Sequence, residues 1–141
     1  MSYGNEKTIG RAVRDLIGNK TVKREELFIV TKVANNYHTR ENALKSVNIS
    51  LNNLGLDYID LVLIHWPFAV AENDPDPLNI TDKTIFSDID YLETWKGLED
   101  AHAKRLALSI GVSNFNHLQL ERVIKNAKVK PVMNQVKIVI N

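Results

Sequence analysis

With 141 residues, 44% of them hydrophobic and 25% charged, the chain suits one globular domain with a real core and nothing larger. A formal net charge of +1 gives no electrostatic case for nucleic acid or for an acidic membrane surface as a partner. The absence of cysteine excludes disulfides and thiolate metal sites, and with no secretory leader or membrane helix expected it fits a cytoplasmic protein.

Helical and strand signals alternate along the chain. Ile9, Val13, Leu16 and Ile17 fall at helical spacing, with Gly18-Asn19 as the stop. Residues 26–32 (Glu-Leu-Phe-Ile-Val-Thr-Lys) read as a short buried strand. Thr39 is the N-cap expected for a helix that carries Leu44, Val47, Leu51 and Leu54 and is ended by Gly55. The apolar run Leu61-Val62-Leu63-Ile64 follows, a strand buried on both faces as in helix-covered parallel sheets. It ends in His65 and Trp66, and Pro67 cannot continue a strand interior.

Residues 68–87 contain Pro75, Pro77, Asn73 and Asn79 and read as a long exposed loop, a kind of segment that is often functional. Leu92, Trp95 and Leu98 open the next helix, which runs to about Lys104. Residues 109–113 form a strand whose Gly111 implies a close backbone approach. Asn116 and Gln119 have capping-box spacing and open a helix with Leu120, Val123, Ile124 and Ala127. Residues 130–140 complete the series as a final strand.

Repeated αβ units with short apolar strands imply a parallel sheet with helices outside it. Right-handed crossovers then bring the ends of all strands to one side. Lys32, His65, Ser113, Asn114 and Gln135 should therefore share one rim. Taken singly, each has a plain reading. His65 is a core histidine capping a strand, Lys32 a solvated strand end, and Tyr3 a frayed terminal residue.

Taken together they suit a particular chemistry. A tyrosine phenol, with an ordinary pKa of ~10, is a poor proton donor near neutrality unless a nearby ammonium lowers that value. Lys32 could do this for Tyr3. A neutral His65 could orient a carbonyl oxygen, and the Ser113, Asn114 and Gln135 side chains could hold a flat carboxamide. Hydride transfer to a carbonyl, with tyrosine protonating the developing alkoxide, needs these parts.

Five segments carry a resemblance to the aldo-keto reductase family along essentially the whole chain. They are Tyr3-Gly4-Asn5-Glu6, residues 25–32, residues 56–67, Ile110-Gly111-Val112-Ser113-Asn114-Phe115, and Asn134-Gln135. The resemblance implies a (β/α)8 barrel, here a partial one of about four parallel strands, that binds NADPH without a Gly-x-Gly-x-x-Gly fingerprint. It implies Tyr3 as general acid, Lys32 and His65 as its catalytic companions, and Ser113, Asn114 and Gln135 on the nicotinamide carboxamide. Trp66 is similar to the tryptophan that lines the family's substrate pocket, and Phe68 would join the same wall, with His65 also touching a small carbonyl substrate.

A complete barrel of this kind typically needs ~250 residues. The 141 residues are thus expected to be the central part of an NADP-dependent oxidoreductase domain, without the family's upstream aspartate and its downstream phosphate-binding stretches. Lys137 stands where an acidic residue is usual, and residues 138–141 diverge from the family pattern. Arg105 occupies a helix-end position usually held by glycine, which costs about 1 kcal/mol if φ is positive there. An open half barrel should leave an apolar inner layer in water and favour self-association. A non-catalytic binding or regulatory relative, and an incomplete product without a function of its own, are the alternatives to an enzyme.

Overall fold

The computed structural model describes residues 4–74 and 76–137. In chain order the elements are α1 (Glu6–Gly18), β1 (Val30–Val33), α2 (Arg40–Leu54), β2 (Ile59–Ile64), β3 (Ala69–Val70), β4 (Phe86–Ser87), α3 (Tyr91–Ala103), β5 (Ala107–Ser113), α4 (His117–Asn126) and β6 (Asn134–Gln135). A four-stranded sheet of order β1-β2-β5-β6 is parallel throughout and curls into a half barrel. Its register sets Lys32 opposite Leu63, Val62 opposite Ile110, and Ser113 opposite Gln135.

Local chemistry sets most of the boundaries. The Thr39 hydroxyl accepts from the Asn42 N–H at 3.1 Å, and Gly55 closes α2 in the left-handed conformation at φ 65°. Asn116 and Gln119 form a reciprocal capping box at the start of α4. The core lies between the sheet and its helices. Val33, Ile59, Val62, Ile64, Ile110 and Val112 meet Val47, Leu51 and Leu54 of α2, Trp95 and Leu98 of α3, and Val123 of α4. Each such side chain, fully buried, contributes about 1.5–3 kcal/mol.

The elements differ from the sequence reading mainly at the sheet edges. The first strand begins at Val30, because Arg24–Glu26 is taken by a 3-10 turn and, among the described residues, β1 has a partner only in β2. The last strand, read as residues 130–140, is reduced among the described residues to Asn134–Gln135, paired only with β5. Residues 138–141 lie outside the described residues. The 68–87 loop is not wholly irregular, since Ala69 pairs with Ser87 and Val70 with Phe86 as a small antiparallel hairpin. In α1, Val13 is buried, whereas Ile9 and Leu16 face solvent, because this helix packs mainly on α2 at the edge of the molecule.

The inner layer also differs. Leu61 and Leu63 alternate with the core-facing Val62 and Ile64, yet they are 2% and 0% exposed. The curl closes over the central strand, while Val30 and Met133 at its flanks remain exposed. Gly111 permits this. A Cβ there would stand 2.8 Å from both Leu63 Cδ2 and the Met133 carbonyl oxygen. Among the described residues no helix is long and apolar enough to cross a membrane.

Candidate active site

A cavity of about 470 Å³ opens at the C-terminal ends of the parallel strands. Lys32 from β1, His65 and Trp66 after β2, Ser113 and Asn114 at the end of β5, and Gln135 from β6 all line it. This is the rim that parallel topology dictates, where (β/α) folds place their chemistry. Leu78 of the long loop, with Val136 and Lys137 after β6, completes the wall. Leu78 belongs to the 68–87 loop, which the sequence reading offers as part of the pocket wall, whereas nothing in the sequence marks Val136 or Lys137 as lining residues. Tyr3 lies outside the described residues. Phe68 does not line this cavity. It lies in an adjoining groove of about 320 Å³ with Pro67, Phe86, Tyr91 and Arg122.

The strand ends are laced together by side chains. Asn114 adopts φ 61°, a left-handed conformation asparagine tolerates better than most residues. Its amide nitrogen donates to the His65 carbonyl at 3.0 Å and to the Ser113 hydroxyl oxygen at 3.1 Å. Its side-chain oxygen accepts from the Lys137 N–H at 3.2 Å. The Ser113 hydroxyl donates to the Gln135 carbonyl at 2.7 Å. One amide thus joins β2, β5 and the segment after β6, fixing the backbone of His65 relative to its neighbours.

The electrostatics follow from burial. Desolvation lowers the pKa of the half-buried Lys32 ammonium. His65 is 6% exposed, and burial, reinforced by the charge of Lys32, pushes its pKa down to about 4. The imidazole is therefore neutral at pH 7 and can donate or accept a hydrogen bond without carrying charge. An aromatic run extends outward from it. His65 and Trp66 are 6.4 Å apart between ring centroids, Trp66 and Phe68 5.9 Å, and Phe68 and Phe86 5.8 Å edge to face. Trp66 is thus the bridge between the cavity and the groove that holds Phe68.

The site can hold a small ligand between a cation, a neutral imidazole and three neutral polar side chains, against an aromatic wall. Residues 1–140 match the family model described as the Aldo/keto reductase family. The chain is similar to aldo-keto reductase AKR2E4 of Bombyx mori, at 44% identity over 96% of this chain and 41% of that protein. It is similar to dihydrodiol dehydrogenase 3 of Bos taurus at 42% identity, over 95% of this chain and 42% of that one. Among solved structures, Bombyx mori AKR2E4 in complex with NADP matches with a TM-score of 0.86, at 44% identity over 96% of this chain and 41% of that one. The aldose reductase of Schistosoma japonicum matches with a TM-score of 0.89, at 33% identity over 96% of this chain and 46% of that one. The chain thus spans about two fifths of the length of the curated relatives it matches.

Proposed function

The chain belongs to the aldo/keto reductase family, and from that premise we propose that residues 1–141 form the central part of a barrel domain that reduces an aldehyde or ketone to an alcohol with NADPH. The carrying observation is the single cavity shared by Lys32, His65, Ser113, Asn114 and Gln135, five side chains from four strand ends. The solved relative with NADP bound adds weight to the choice of cofactor.

The residues present suit a nicotinamide. The Ser113 hydroxyl, which donates to Gln135 and accepts from Asn114, keeps one lone pair to accept from an amide N–H. The Asn114 and Gln135 side chains supply further amide groups on the same wall. When bound, the reduced cofactor supplies the hydride. The neutral His65 orients the carbonyl oxygen of the substrate. Tyr3 gives its phenolic proton to that oxygen as negative charge develops on it, and the Lys32 ammonium favours phenolate and so eases the transfer. Trp66 presents an apolar wall to the remainder of the substrate, with Phe68 packed behind it.

The test is a chimera in which this chain replaces the matching segment of the Bombyx mori enzyme, assayed for NADPH-dependent aldehyde reduction. Tyr3→Phe should lower turnover by about 10²–10⁴-fold, the usual scale of a general acid, and Lys32→Met should act in the same direction. Near-normal turnover by the Tyr3→Phe chimera refutes the assignment.

A further inference from the structure

Glu6 closes the run Tyr3-Gly4-Asn5-Glu6, yet the reaction described above gives it nothing to do. It opens α1 and is only 5% exposed. A carboxylate at that depth is costly unless it is hydrogen-bonded, and two other elements supply the bonds. The Thr31 hydroxyl of β1 donates to Oε1 at 2.8 Å, and the Ser50 hydroxyl of α2 donates to the same oxygen at 2.7 Å. The Asn53 amide of α2 donates to Oε2 at 3.1 Å. Burial alone would raise the carboxyl pKa, but hydrogen bonds, those from Asn53, Ser50 and Thr31 among them, hold it below the ordinary value.

The placement matters because of what lies on either side. Thr31 immediately precedes Lys32, and successive strand side chains point to opposite faces. The hydroxyl that grips Glu6 is therefore on the helix side of the strand that offers Lys32 to the cavity. Upstream, Tyr3 precedes Glu6 by three residues. The carboxylate ties the start of α1 to the strand of the ammonium.

We propose that Glu6 is a positioning residue whose buried carboxylate anchors the Tyr3 segment to β1 beside Lys32. This rests on the reading of Tyr3 and Lys32 given under the proposed function. An amide at this position is uncharged and puts an NH2 group in place of one oxygen, so Glu6→Gln loses the charge-assisted character of the bonds and obliges Asn53 to turn its own oxygen inward.

The experiment uses the chimera with the Bombyx mori enzyme described above, labelled for NMR. It measures backbone order at residues 4–7 and the titration of Tyr3, the latter assigned with Tyr3→Phe. In the parent chain, order at residues 4–7 should match rigid backbone, with S² of about 0.85, and in Glu6→Gln it should fall below about 0.6. The Tyr3 titration should move up toward the ordinary tyrosine value in the same variant. Val123→Ala, a core change in α4 away from the tether, should leave both readings unchanged. Thr31→Val, which removes one donor, should give the same effects in smaller measure and serves if Glu6→Gln does not fold. Undiminished order at residues 4–7 in Glu6→Gln and Thr31→Val overturns the proposal. So does a lowered Tyr3 titration that these variants leave in place. A parent chain whose Tyr3 already titrates at the ordinary value sinks the catalytic pairing instead, and the order measurement then decides the anchor by itself.

Discussion

At His65, burial and the neighbouring Lys32 charge act in the same direction, and both favour the neutral ring. His38 is a second case with a different setting. It is 1% exposed, neither ring nitrogen has a hydrogen-bond partner, and burial pushes its pKa down to about 4. Both groups are bases whose folded pKa lies below the ordinary histidine value of about 6.5. Between those two values the unfolded chain binds more protons than the folded one, so stability is full above about pH 6.5 and falls as pH drops toward 4. Urea denaturation between pH 7 and pH 4 should show this decline, and His38→Gln should reduce it to the part that His65 contributes. A midpoint independent of pH over that window, with the parent His38 titrating near 6.5, would contradict the account.

Among the elements, the ends of α2 and α3 pose the same problem and solve it differently. Gly55 ends α2 at φ 65° at no steric cost. Arg105, two residues past the end of α3, takes φ 57° with a full side chain. The sequence makes the cost at Arg105 conditional on a positive φ, and the structure meets that condition. Because a Cβ in this region costs about 1–2 kcal/mol, Arg105→Gly should stabilise the chain by roughly 1 kcal/mol, less whatever glycine adds to the entropy of the unfolded state. Chemical denaturation of the two proteins measures it directly. A destabilised glycine variant would show that the Arg105 side chain contributes more than its backbone costs.

On the scale of the whole molecule, the open flanks of the half barrel dominate. Phe28 is 68% exposed and Val30 is exposed beside it at the β1 edge, while Val132, Met133 and Val136 are exposed around β6. Edge strands with unpaired backbone and apolar side chains invite pairing with other chains. A polypeptide of these 141 residues alone should therefore sediment as a concentration-dependent mixture larger than a monomer. It should also bind NADPH weakly. Toward a carboxamide the cavity offers a few neutral hydrogen bonds from Ser113, Asn114 and Gln135, worth about 0.5–1.5 kcal/mol each, against an association cost of roughly 4–15 kcal/mol. A monodisperse monomer that quenches or enhances NADPH fluorescence at micromolar concentration would overturn both expectations.

The order of elements, the helix caps and the residues at the four strand ends were legible because each is local. Thr39, Gly55 and Asn116 act within one turn of chain, and the apolar run ending at His65 marks a strand end by composition alone. Parallel topology then leaves one place for Lys32, His65, Ser113, Asn114 and Gln135, the cavity rim on which they stand. Tertiary structure decided what depends on segments far apart in sequence. The burial of Leu61 and Leu63 comes from the curl of the sheet, and the short span of β6 from the lack of a second neighbour. Phe68 sits beside the cavity rather than in it, because β3 turns the chain back toward β4 directly after it. The contacts of Glu6 with Thr31, Ser50 and Asn53 span 25, 44 and 47 residues. No spacing rule reaches that far, since a buried carboxylate is set by which surfaces pack together, and packing is a property of the folded chain.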